Sequence, residues 1–131
     1  MRRTTLVVLT ALVAVRGFAA SAEAQTVAVK RGDSIELHTV YWVRSCYSAL
    51  DDFEGIRIKS GPAGVSLSLK KQDARPVRQG CDNMVPGAMV MATVSPDAPL
   101  GTTTIEYQVN YRTKTGAKEQ SNHSRTLLIS Q

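Results

Sequence analysis

The sequence predicts an all-β, two-layer antiparallel sandwich of about seven strands. Three observations carry this reading. Apolar residues alternate with polar ones in a period of two, turn-forming residues interrupt them at short intervals, and the chain past its first segment keeps no 3.6-residue apolar period.

Val27 and Val29 mark a first strand over 26–30, and Ile35 and Leu37 a second over 34–43. Ile56 and Ile58 alternate with Arg57 and Lys59 in a third, over 54–60. Val65, Leu67 and Leu69 alternate with Ser66, Ser68 and Lys70 in a fourth, over 65–70. A fifth, over 87–95, is apolar on both parities between Ala88 and Val94, the pattern of a central strand. Ile105, Tyr107, Val109 and Tyr111 give the inner face of a sixth, over 102–112. Leu127 and Ile129 share a parity in the last, over 122–130. Arg31-Gly32-Asp33, Ser60-Gly61-Pro62, Ser95-Pro96-Asp97 and Lys114-Thr115-Gly116 supply turns between these runs. Two connections, 44–53 and 71–86, are long for a compact sandwich.

The first residues read differently. Arg2 and Arg3 precede an apolar stretch at 6–15, and Ala22-Glu23-Ala24 offers a small-residue cleavage pattern. Such a stretch is too short for a membrane span, which takes about 20 residues. Residues 1–24 are therefore expected to be a signal peptide and 25–131 one domain, periplasmic or secreted, with no membrane span in the mature form. The precursor's net charge of +5 owes part of its excess to Arg2, Arg3 and Arg16 in the leader. The remainder mixes both signs and makes no case for nucleic acid.

Cys46 and Cys81 fall one in each long connection. In an oxidising compartment an even pair reads as a disulfide. Closing a loop of about 35 residues stabilises the fold by about 3–4 kcal/mol in the chain-entropy model.

Residues 94–111 (VSPDAPLGTTTIEYQVNY) resemble the late-strand pattern of bacterial immunoglobulin-like domains. There an Ala-Pro turn and Leu-Gly precede a Thr/Tyr-rich alternating strand. The likeness implies an immunoglobulin-like architecture with a bias toward binding or structural roles, and carries over no functional residue. The cysteines depart from the antibody pattern, since they lie in or beside long connections with no Trp between them.

Catalytic signatures are missing from the sequence: it holds no G-x-S-x-G, no H-E-x-x-H, no phosphate loop and no metal-type Cys/His spacing. The chain is therefore expected not to be an enzyme and to need no cofactor. His38 shares parity with Glu36 and His123 opens the last strand, so both are expected at the surface. Met84, Met89 and Met91 raise a copper-carrier reading, but Gln25 stands where periplasmic copper carriers begin with histidine. Asp51, Asp52 and Glu54 in one connection, with Asp82 and Asn83 in the other, raise a calcium reading. Arg44, Arg75 and Arg78 flank the same cysteines, and charge pairing within the loops accounts for the mixture.

Arginines, acids and aromatics on tethered loops suit recognition. The expected function is a non-catalytic interaction module for a protein or glycan partner of the cell envelope. Its expected contacts are Arg44, Tyr47, Asp51, Asp52, Arg75, Arg78 and Asp82, with Trp42 and Phe53 close by. The alternatives are a periplasmic copper or calcium binder, and an inhibitor of an envelope enzyme acting through 71–86.

Overall fold

A computed structural model of the chain describes residues 26–131. The expected leader lies outside the described residues. The rest is an all-β sandwich with no α-helix among the described residues. Its strands are β1 (Thr26–Lys30), β2 (Ser34–Val40), β3 (Val43–Arg44), β4 (Tyr47–Ser48) and β5 (Leu50–Ser60). They continue as β6 (Val65–Ala74), β7 (Val85–Val94), β8 (Gly101–Thr113) and β9 (Lys118–Ser130). One sheet has the order β1-β9-β8-β5, the other β2-β7-β6, and β3 and β4 form a small hairpin of their own.

The alternation works as expected where the sheets face each other. Ala88, Val90, Ala92 and Val94 of β7 meet Ile105, Tyr107 and Val109 of β8, with Leu127 and Ile129 of β9 beside them, all buried. Removing a side chain of this kind from water is worth about 1.5–3 kcal/mol, so this inner layer dominates the fold. The four expected turns fall between strands. At one of them Gly64 has φ +81°, and a Cβ there would stand 2.7 Å from the Ser95 hydroxyl. Only glycine fits that corner.

Three features differ from the sequence-based picture. β1 runs parallel to β9, while every other pairing is antiparallel. After β1 the chain crosses to the other sheet through Arg31 and Gly32, whose amides donate to Ser130 O and Val94 O at 2.8 Å. The two long connections are also shorter than expected, because β5 begins at Leu50 and β6 runs on to Ala74. Finally, residues 43–48 fold into a hairpin whose two turn residues, Ser45 and Cys46, have φ of 50° and 63°. A two-residue hairpin of this hand usually takes Asn-Gly. Here neither residue is glycine, and the strained turn is tied down from outside.

Its tether is the disulfide. Cys46 bonds Cys81, with the Cα atoms 5.5 Å apart. Cys81 is buried in the connection between β6 and β7, just after a single 3-10 turn at Val77–Gln79. Asn83 Nδ2 donates to Cys46 O at 2.9 Å beside the bridge.

Both Cys46→Ala and Cys81→Ala are expected to lower unfolding free energy equally, by about 3–4 kcal/mol, and the double variant should add little. Urea denaturation of the three variants checks this; unequal losses would contradict a shared origin.

Candidate functional site

Within the described residues, one side of the sandwich is open. Of the described residues, β1 pairs with β9 from Thr126 to Ser130. Among the described residues, β9 from Lys118 to Arg125 has no strand neighbour on that flank. β2 is likewise the edge of its own sheet. Between the two edges lies a cleft of about 520 Å³. His38, Val40, Tyr41 and Trp42 line one wall, and Ser121, His123 and Arg125 the other. Arg75, Val77, Arg78 and Gln79 from the disulfide-bearing connection form its end. Tyr41 Oη donates to Gln79 Oε1 at 3.0 Å and ties that end to the wall.

The histidines correct the expectation of solvent exposure. A β-bulge between Glu36 and His38 inserts one residue into β2 against β7. That extra residue reverses the parity of the rest of the strand, so His38 turns toward the opposite sheet. His123 needs no bulge, since it shares the inward parity of Leu127 and Ile129 once β9 starts at Lys118. The two rings lie 4.7 Å apart, and both are half-buried.

Tyr107 organises the group. Its ring has no exposed surface, and its hydroxyl lies 2.8 Å from His38 Nδ1. Burial pushes the phenol up to about 12. Burial first, then the Arg125 charge, then His123, draw His38 down to about 4. Burial and Arg125 also lower His123. At neutral pH the hydroxyl thus keeps its proton and both imidazoles are uncharged. If Tyr107 donates to Nδ1, His38 carries its hydrogen on Nε2; the reverse arrangement would leave the buried hydroxyl hydrogen without an acceptor. His38 Nε2 is buried without a hydrogen-bond partner among the described residues. An unpartnered donor, two neutral rings and the Arg125 guanidinium therefore meet in one place.

Six of the seven residues expected to form one recognition surface are divided among three depressions, and Asp82 lies in none of them. Arg75 and Arg78 lie at the cleft. Arg44 and Tyr47, paired across the β3–β4 hairpin, line a second hollow of about 470 Å³ with Tyr111 and Glu119. Trp42 lines both, and stacks on Tyr111 at a ring distance of 3.6 Å. Asp51 and Asp52 lie on β5 and line a third hollow, with Lys71. Asp82 is exposed next to Cys81.

The acids do not pair with the loop arginines, as expected from sequence, but with the strands alongside. Asp52 meets Lys71 at 2.8 Å, Asp51 meets Arg112 at 2.8 Å, and Glu54 stands 3.8 Å from Arg112 and 4.0 Å from Lys118. Lys71 holds the Asp52 carboxyl below its usual range. Those carboxylates are thus engaged by cations, and no group of three or more His, Cys, Asp or Glu among the described residues is placed to hold a metal ion. Met89 and Met91 lie on the outer face of β7, Met89 opposite Thr39 and Lys70, while Met84 is exposed in the connection before it. Sequence reasoning missed His38, Tyr107, His123 and Arg125 as a group. The shared parity of Ser121, His123, Arg125, Leu127 and Ile129 was the available signal.

No family model, curated protein or solved structure matches the chain. No helix of the described residues is long and apolar enough to cross a membrane.

Burying His38 in its neutral form makes stability depend on pH. As pH falls through 6.5 the unfolded chain takes up the proton first, so the contribution is full above 6.5 and is lost down to about 4. His123 acts in the same direction. Melting temperature is expected to fall over this window, and His38→Gln to make the slope shallower; an unchanged slope in that variant would contradict the assignment.

Proposed function

We propose that the chain is an exported, immunoglobulin-like module of the periplasm or cell exterior that binds a protein partner of the envelope without catalysing a reaction. The observation that carries this reading is the Cys46–Cys81 bridge, which fastens the β3–β4 hairpin to the connection between β6 and β7. Around it, within four residues of one cysteine or the other, Tyr47, Val77 and Met84 are 79%, 69% and 52% exposed. Large apolar side chains held in water on a cross-linked framework, beside Arg44, Arg75, Arg78 and Asp82, have the composition of a protein-binding surface. The cross-link reduces the ordering entropy lost on association. It also suits an oxidising compartment, as the expected leader does.

A binding role fits the cleft's chemistry better than acid–base work. A general base serves best with a pKa near the working pH, whereas His38 is drawn to about 4. Protein is favoured over glycan because the exposed groups at the bridge are aliphatic and thioether as well as aromatic.

The test is capture of a partner from envelope extract by the oxidised and the reduced protein in parallel. Capture should require the bridge and should be lost on charge reversal in Arg75→Glu/Arg78→Glu, with melting temperature unchanged. Capture that survives both changes would place the working surface elsewhere.

A further inference from the structure

The cleft between β2 and β9 is cationic, and its charges form no ion pair among the described residues. Among the described residues the four ion pairs all lie around β5, and none involves Arg75, Arg78 or Arg125. Asp73 is the one acid among the described lining residues. Arg125 is half-buried, and its guanidinium donates to Ser124 O at 2.8 Å. Beside it His38 holds a buried ring nitrogen without a partner among the described residues. A partly buried guanidinium and an unmatched donor both lack the same thing, a negatively charged acceptor.

The backbone adds a shape requirement. Among the described residues, the flank of β9 from Lys118 to Arg125, in line with β1, has no strand partner for its N–H and C=O groups. An extended chain laid there would lengthen the row that β1 begins, and every second side chain would enter the cleft.

We propose that this cleft binds an acidic peptide segment in extended form, added as a strand along β9, with one carboxylate received by Arg125 and flanking acids by Arg75 and Arg78. The inference deepens the binding reading above by naming the partner's chemistry, and it rests on that reading. A peptide is favoured over a carboxylated sugar because only a peptide satisfies both the arginines and the open strand edge.

The experiment is a fluorescence-anisotropy titration of the purified, oxidised protein with a labelled peptide alternating Glu and Thr. The matching Gln/Thr peptide and an oligouronate serve as comparisons. The Glu peptide should bind, more weakly as salt rises, and the Gln peptide should not. Arg125→Gln should weaken binding about tenfold, as should the exposed pair Arg75→Gln/Arg78→Gln, which leaves the core untouched. Arg57→Gln, on the exposed face of β5, should leave it unchanged. Amides of 118–125 should gain protection from hydrogen exchange on binding. Binding that ignores all three cleft arginines overturns the proposal, as does binding of the oligouronate alone. So does absence of binding with the β9 edge already protected in the free protein. If the Glu peptide fails while bridge-dependent capture from envelope extract persists, the cleft assignment falls and the binding module stands. If capture also fails, both fall.

Discussion

Tyr107 lies at the centre of the sandwich with no exposed surface, and a phenol in that position must have a partner. The only hydrogen bond its hydroxyl makes among the described residues crosses the gap between the sheets to His38. That bond can form only if His38 faces inward, which the bulge in β2 accomplishes. Once inside, the ring comes to rest on His123, and burial, with the Arg125 charge, keeps both rings neutral. One buried hydroxyl thereby sets the orientation of the polar group on which the cleft depends.

The sandwich is consequently divided along its length. Toward one end the inner face is made of Val94, Ile105, Leu127 and Ile129, and β1 covers the flank of β9. Toward the other the same face of β9 carries Arg125, His123 and Ser121, and no strand covers it among the described residues. Apolar burial holds the first half together. In the second half the core continues through Val40, Ala88, Val90 and Val109, and hydrogen bonds, the Trp42–Tyr111 stack and the disulfide add to it. The proposed binding surface and the polar wall of the sandwich are therefore the same region.

Much of this was legible in the chain. The seven main strands, the four turns and the disulfide come from alternation, turn chemistry and a cysteine pair. The parallel β1–β9 pairing was not, because strand direction is a matter of tertiary arrangement and leaves no mark on a five-residue strand. The β3–β4 hairpin was hidden because Ser45-Cys46 is not a turn-forming pair by composition; the bridge to Cys81 supplies what the local sequence lacks. His38 was misread for a different reason. Parity counted from Glu36 places it in solvent, and a bulge is one extra residue that no property of Leu37 announces. The acids at 51–54 read as part of a loop because β5 begins with three polar residues in its first five, whose partners Arg112, Lys118 and Lys71 are distant in sequence.

The most direct measurement is the ¹⁵N resonances of the His38 ring at neutral pH. A ring turned inward and accepting from Tyr107 should appear as one neutral tautomer, with the proton fixed on Nε2 and a scalar coupling across the Oη–Nδ1 hydrogen bond. Two tautomers in rapid exchange, as in a solvent-facing imidazole, would contradict the inward orientation and with it the cleft.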